Sequence, residues 1–444
     1  MNYIYVDNYR GFSKTLVPIN DVNFLVGENS TGKTSILGLI KLLSPPDFWL
    51  KNEFDFRKVG FGTFKNVVSI NATDKSSFSV GLVFDQAIET SQKNKKNKKQ
   101  NNTSKLVILV MTLTEQEGIP KLSSLISYRN GHEVLVKYIG KSIRYKYRKV
   151  DRNISASEFA NTKFNTWIDS YKKDSTGYKI IKRPKFFLRP APPIFIISYI
   201  EDLIRPGEND YERVQFEITS FLHDIAWLAP IRSKPRKTYD EFSLEFSPEG
   251  DHTPYLIKKK LDSKNDSGKF VNFINKVGKN SGLFKGIEIK NYGRGATTPF
   301  ELDVVLGKHP LSVSSVGYGV SQSLPVIVEI FSRARNSWFA IQQPEVHLHP
   351  KAQAALGEAF FDMATTENKK FIVETHSDYA IDRFRILLRK SNRKIKSQVL
   401  FFEKSDSGNR ITPISINDQG ELDSNQPESY RDFFMKEEME LLRL

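Results

Sequence analysis

Hydrophobic and polar residues alternate from the first positions, and Met1-Asn2-Tyr3-Ile4-Tyr5-Val6-Asp7 predicts a strand. Phe24-Leu25-Val26 leads into a glycine-rich turn. Ser35-Ile36-Leu37-Gly38-Leu39-Ile40-Lys41-Leu42-Leu43 then has helical spacing, and Pro45-Pro46 stops it. Val67-Val68-Ser69-Ile70 and Phe78-Ser79-Val80-Gly81-Leu82-Val83-Phe84 predict further strands. Gln92 to Ser104 has no apolar periodicity and predicts a disordered loop or hairpin tip. Leu106–Val110 and Val134–Val136 are β-like, and residues 194–225 look helical. Ser323–Phe331 predicts a helix, followed by the strand Trp338–Ile341, the helix Pro350–Ala364, the strand Lys370–Glu374 and the helix Tyr379–Arg389. Such alternation predicts an α/β fold on a mixed, mostly parallel sheet with its ligand at the carboxyl edge. Two strands and a short helix fill the last 50 residues.

A chain of 444 residues with 39% hydrophobic residues can bury two or three cores. No apolar run approaches the ~20 residues of a membrane span, so an integral membrane protein is excluded. The opening residues lack the basic and long apolar regions of a signal peptide. With no cysteine there is no disulfide, thiol nucleophile or zinc–thiolate site, and a cytoplasmic location is expected. The net charge of +15 is regional, since residues 91–189 hold 23 Lys and Arg against 7 Asp and Glu. That stretch predicts DNA or an acidic, DNA-mimicking protein as partner, or else a solvated insertion. Within it, Arg144-Tyr145-Lys146-Tyr147-Arg148 interleaves cations and rings as single-stranded nucleic acid favours, and its period of two equally fits a strand with one charged face.

The sharpest signal is Gly27-Glu28-Asn29-Ser30-Thr31-Gly32-Lys33-Thr34, placed between an apolar strand and an apolar helix that opens with Thr34 and Ser35. The glycines allow the chain to wrap a phosphate, and backbone N–H groups at the helix start face it. Lys33 reaches the β and γ oxygens, and Thr34 can ligate Mg²⁺. No Asn-Lys-x-Asp guanine motif occurs, and a phosphate loop alone leaves GTPase, kinase and ATPase open, so the second half of the chain decides whether ATP with Mg²⁺ is the ligand.

Three later segments, in their order and content, resemble the ABC/SMC-like ATPases. The nearest branch is that of the OLD (overcoming lysogenization defect) proteins and the stand-alone ATPases of anti-phage modules, including the PARIS type with its AriA ATPase. Ser315-Val316-Gly317-Tyr318-Gly319-Val320-Ser321-Gln322 is similar to that branch's signature, a small-residue turn opening a helix. The resemblance implies that Ser315, Gly317, Gly319 and Ser321 cap the γ-phosphate held by a second subunit. Ala340-Ile341-Gln342-Gln343-Pro344-Glu345-Val346-His347-Leu348-His349-Pro350 resembles the Walker B strand and turn. Val373-Glu374-Thr375-His376-Ser377 resembles the strand carrying the switch histidine, so His376 is expected at the γ-phosphate or else as a satisfied buried histidine. Asn8-Tyr9-Arg10-Gly11-Phe12 resembles the strand beside the base, where Arg10 touches nucleotide or makes a surface salt bridge. Trp227 to Ser233 resembles the opening of the second lobe, with a local structural role for Arg232.

The resemblance implies an ABC-ATPase-like P-loop NTPase interrupted by an inserted basic arm. Residues 1–90 and 226–390 would form the two parts of the ATPase head, 91–225 the arm, and 391–444 the strands and helix that close the head. One departure matters. Relatives carry an acidic magnesium ligand followed by a glutamate base, and here Gln342 and Gln343 stand in those places. An amide oxygen ligates Mg²⁺ weakly and an amide accepts no proton at neutral pH, so hydrolysis should be slow or trigger-dependent. Glu345 is the favoured catalytic replacement, and Glu374 is the other nearby carboxylate. His347 and His349 have no third ligand beside them and read as locally hydrogen-bonded.

The function implied is that of an ATP-gated sensor or scaffold in anti-phage defence. It would act as an ATP-sandwich homodimer, with a larger ring such as a trimer of dimers open to it, holding and releasing a separate Toprim or HNH nuclease. The alternative is a RecF-like repair ATPase whose basic region binds DNA. A transporter subunit and a small-molecule kinase fit the motif order less well.

Overall fold

The computed structural model describes residues 2–44, 48, 56–87, 104–139, 142–150, 152–174, 176–182, 192–204, 225–240, 244–293 and 298–442. Contacts divide the chain into two units, Met1–Asn20 with Ser30–Asp224 and Glu403–Ile411, and Asp21–Asn29 with Ile225–Phe402 and Thr412–Leu444. The expected loop from Gln92 lies outside the described residues up to Ser104, where a strand begins.

The first unit is built on an eight-stranded sheet of order β2-β1-β4-β5-β6-β7-β8-β9. Its strands are β1 (Asn2–Asp7), β2 (Thr15–Ile19), β4 (Ser77–Ala87), β5 (Ser104–Gln116), β6 (Ile119–Arg129), β7 (His132–Ile139), β8 (Ser142–Lys149) and β9 (Lys179–Lys182). Every neighbouring pair is antiparallel. The boundary expected at residue 90 falls between β4 and β5, which pair from Ser77 with Thr114 to Ala87 with Ser104. Tyr3, Tyr5, Ile108, Val110 and Leu135 pack against Phe159, Phe164 and Trp167 of two helices, α2 (Ala156–Thr162) and α3 (Phe164–Lys173). Helix α1 (Lys33–Leu43) also belongs to this unit, with Ile36, Leu39, Ile40 and Leu43 buried at helical spacing.

Of the strand expected at Val67–Ile70, Val67 ends a helical turn, Phe64–Val67, and Val68 makes an isolated bridge to Tyr9. Thr63 and Asn66 cap the turn reciprocally; Val67, Val68 and Ser69 are all buried and Ile70 is 85% exposed, so burial there does not alternate as on a strand. The helix expected over 194–225 is observed as α4 (Pro193–Ile204), and 205–224 lie outside the described residues.

The second unit centres on a six-stranded sheet of order β10-β14-β15-β3-β16-β17. It joins β3 (Val22–Gly27), β10 (Ala226–Leu228), β14 (Trp338–Gln342), β15 (Lys370–Glu374) and two strands whose ends belong in part to the first unit, β16 (Ser397–Ser405) and β17 (Gly408–Ile416). From β10 to β16 all pairs are parallel. β3 and β14 are buried at every position, as strands covered on both faces must be, which explains their mostly apolar text. A small antiparallel sheet holds β11 (Gly286–Asn291), β12 (Phe300–Val305) and β13 (Pro310–Ser312). The helices of this unit are α5 (Thr253–Asp262), α6 (Ser267–Ser281), α7 (Tyr318–Ser332), α8 (Pro350–Glu367), α9 (Asp378–Lys390) and α10 (Glu428–Leu442). Helix α7 starts five residues before the expected Ser323, because Gly317 in extended conformation caps it. Helices α8 and α9 start at side-chain caps, His349 accepting from the Ala352 N–H and Ser377 from that of Ala380.

Candidate functional site

β3 ends at Gly27 with φ 140°, and a Cβ there would lie 2.0 Å from the Phe402 carbonyl oxygen on β16, so only glycine fits. Glu28, Asn29, Ser30 and Thr34 are exposed, whereas Thr31, Lys33 and Ser35 are buried. At Gly32, with φ 97°, a Cβ would meet the Phe12 ring at 2.5 Å. Gly32 caps α1 without a side chain, and the first turn of α1 holds no acid. A helix start of that kind presents N–H groups and a positive dipole end to an anion. Arg10 donates from Nε to Ser35 Oγ at 2.9 Å, and its guanidinium lies 4.4 Å from the centre of the Phe61 ring. The structure thus ties Arg10 to the first turn of α1 through Ser35.

Within the second unit, a cluster of polar groups forms at the carboxyl edge of the central sheet. Adjacent parallel strands β14, β15 and β3 end there with Gln342, with Glu374 and with Gly27 and Glu28. Gln342 is buried and donates from Nε2 to Glu374 Oε2 at 3.0 Å. A carboxylate requires a donor, so the amide nitrogen is fixed on Glu374 and the oxygen is presented elsewhere. Gln343 follows with φ 40°, its N–H bonded to the Glu374 carbonyl at 2.8 Å. Thr375 donates its N–H to Leu25 O at 3.1 Å, joining β15 to β3 just before His376.

Glu345 Oε1 accepts the His376 backbone N–H at 2.7 Å, which fastens the turn after β14 to the residue after β15. Its Oε2 is buried without a hydrogen-bond partner. Burial pushes this carboxyl above the usual carboxylate range, opposed by the His376 N–H and by the charge of Arg232. Arg232 is 3% exposed, and desolvation brings its guanidinium down to about 10. It donates to the Gln342 carbonyl at 2.9 Å and to that of Gln343 at 3.4 Å. The His376 ring lies 6.1 Å from that of Phe433.

Of the signature residues, Ser315 and Gly317 are exposed at the start of α7, and Gly319 packs against the turn after β14, where a Cβ would lie 3.0 Å from the His347 carbonyl oxygen. Ser321 is buried and donates to the Tyr318 carbonyl within its own helix at 3.1 Å. α7 likewise opens without a side-chain cap or an acid in its first turn. His347 is exposed with its ring 5.8 Å from that of Tyr318, and His349 caps α8. Among the described residues no group of three or more His, Cys, Asp or Glu could hold a metal ion.

The basic run Arg144–Arg148 lies on β8, and its charged face is partly neutralised. Lys146 and Arg148 contact Asp174 at 2.7 and 2.6 Å, and these pairs hold the Asp174 carboxyl below its usual range, chiefly through Lys146.

The sequence reading assigned Arg232 only a local role and did not single out Gln322, whose amide bonds the Arg232 backbone. The one sequence signal for Arg232 is a cation just past an apolar strand. No described helix is long and apolar enough to cross a membrane.

In the first unit the uncapped start of α1 suits a phosphate anion, and in the second the Gly27 turn excludes a Cβ. A family model described as an AAA ATPase domain (AAA_15) matches residues 1–381. Among solved structures, an Smc head bound to the C-winged helix domain of ScpA aligns over 93% of this chain and 97% of that one, with 9% identity and a TM-score of 0.42. The SMC head domain from Thermotoga maritima gives 12% identity and a TM-score of 0.37 over 93% and 97% of the two chains. An Smc head domain from Pyrococcus furiosus gives 10% and 0.39 over 100% and 99%. No curated protein matches. The family match runs from β1 past the glycine loop, α7, the turn after β14 and His376, and the chain belongs to the AAA ATPase domain family.

Proposed function

We propose that this protein is an ABC/SMC-like ATPase that binds ATP with Mg²⁺, hydrolyses it slowly, and works as an ATP-gated clamp made of two copies of the chain. The observation that carries the reading is the set of groups at the edge of β14 and β15. Both positions expected to be acidic hold amides, Glu374 is engaged by Gln342, and Glu345 is the carboxyl with a free oxygen. Thr34 and Gln342 are the residues that would hold Mg²⁺, which would offset the charge of the phosphates. Lys33 and the N–H groups opening α1 hold the phosphates. Glu345 accepts the proton of the attacking water, and His376, whose backbone N–H bonds Glu345, senses the γ-phosphate. The exposed, uncapped start of α7 serves the γ-phosphate of the second copy, which makes the dimer ATP-dependent.

Slow turnover suits a protein whose ATP-bound state is the useful one. The motif order shared with anti-phage ATPases supports a sensor or scaffold role in which a separate effector nuclease is held and then released. Pairing of Lys146 and Arg148 with Asp174 weighs against the repair alternative, because those cations are already engaged. Measuring ATP hydrolysis with and without duplex DNA, while following mass, tests the reading. ATP-dependent dimerisation with slow, DNA-independent turnover is expected, and strong DNA stimulation with a steep salt dependence would favour repair instead.

A further inference from the structure

We propose that Arg232 is a positioning residue that couples the start of α7 to the turn after β14, so that what happens at the signature sets the alignment of the hydrolytic groups. The inference rests on the ATPase reading above and assigns a mechanical role to a residue that touches no nucleotide in it.

The backbone of Arg232 is held by the side chain of Gln322 on α7. Gln322 Oε1 accepts the Arg232 N–H at 3.2 Å, and its Nε2 donates to the Arg232 carbonyl at 3.5 Å. The side chain of the same arginine donates to the carbonyls of Gln342 and Gln343. One residue therefore has its main chain on the signature helix and its guanidinium on the turn that carries Gln342, Gln343 and Glu345. The linkage continues to β15, since Glu345 receives the His376 N–H and Gln343 donates to Glu374 O.

Two features argue against a merely structural anchor. A buried guanidinium is costly to desolvate, and an arginine retained for stability should use its donors fully. Arg232 Nε is buried without a partner, as is Glu345 Oε2. The residue it grips, Gln343, stands at φ 40°, a conformation that a non-glycine residue keeps only when its surroundings impose it. Loosening the grip should let the turn relax toward ordinary backbone angles. A displacement on the order of 1 Å at reacting groups can cost about 10²-fold in rate.

The test uses Arg232→Lys, which keeps the charge but cannot grip two carbonyls in one plane, and Gln322→Ala, which leaves Arg232 in place and touches nothing in the turn. Both are measured for kcat, for KM toward ATP, and for amide exchange over residues 342–348 and 374–378. Arg232→Lys is expected to lower kcat about tenfold or more with KM changed less than about threefold, the signature of lost alignment rather than lost binding. Gln322→Ala is expected to lower kcat in the same way and to speed exchange over 342–348. The double variant should be no worse than Arg232→Lys alone, because both act on one linkage. Wild-type kcat and wild-type exchange in Gln322→Ala, or additive losses in the double variant, would overturn the proposal. If the wild-type protein hydrolyses no ATP, the ATPase reading fails, and the exchange measurements still decide whether Gln322 and Arg232 hold the turn.

Discussion

Replacing Glu345 by glutamine separates the shape of that side chain from its ability to take a proton. The substitution is isosteric, and a glutamine oxygen can go on accepting the His376 N–H now held at 2.7 Å, so the turn after β14 should keep its course. What disappears is the proton acceptor, since an amide is not basic at neutral pH. Loss of a general base costs about 10²–10⁴-fold in rate, which corresponds to roughly 3–5 kcal/mol of barrier. Glu345→Gln should therefore cut the single-turnover rate by about that factor, and ATP affinity should hardly move, because Glu345 binds no phosphate in the proposed mechanism.

The pH profile gives a second reading of the same variant. The base must be ionised, and burial raises its pKa, so wild-type activity should fall on acidification at a pH above the ordinary carboxylate value of about 4.3. That acid limb should vanish in the residual activity of Glu345→Gln. Hydrolysis of radiolabelled ATP by excess enzyme across the acidic and neutral range measures both. Full activity in Glu345→Gln, or a slow activity with an unchanged acid limb, would refute the assignment and point to Glu374.

Further outcomes follow from other parts of the structure. Gln343→Glu puts a carboxylate in the turn after β14, beside the proposed base, and it should raise kcat by about tenfold or more; an unchanged rate in a steady-state assay would mean the half-buried side chain does not reach the water. Gly27→Ala forces a methyl group to 2.0 Å from the Phe402 carbonyl and an alanine to φ 140°, so a loss of about 3 kcal/mol or more is expected in denaturant unfolding, together with loss of ATP binding. Glu329 is buried on α7 between His252 at 2.9 Å and Arg333 at 2.6 Å, and these partners, outweighing burial, depress its pKa. A depressed carboxylate contributes stability that is present above its unfolded pKa and lost as pH falls through its folded one. Melting temperature should thus drop below about pH 4 in the wild type, and Glu329→Ala should lose about 3–5 kcal/mol at neutral pH and flatten that acid limb.

Much of the second unit was legible because buried parallel strands write themselves as apolar runs. Lys370–Glu374 was delimited correctly, and the glycine loop was placed between the right strand and helix. Misreadings came where local polar chemistry overrode hydrophobic pattern. The Thr63–Asn66 cap sets a helical turn that runs into the expected strand at Val67 and leaves Val68 with only an isolated bridge, and Gly317 starts α7 before its apolar periodicity begins. Contacts distant in sequence were beyond reach. Nothing near Arg232 announces that its guanidinium is bound by carbonyls 110 and 111 residues away. Equally, the charge of Arg144–Arg148 could be counted, but not that Asp174 takes up two of its cations.

The central claim, that the loop from Gly27 to Thr34 binds ATP for slow hydrolysis, is tested most directly by single-turnover hydrolysis in the wild type and in Lys33→Ala. Slow release of phosphate by the wild type, abolished in a folded Lys33→Ala protein, is the result the account predicts. Equal rates in the two proteins, or no hydrolysis and no ATP binding by the wild type, would contradict it.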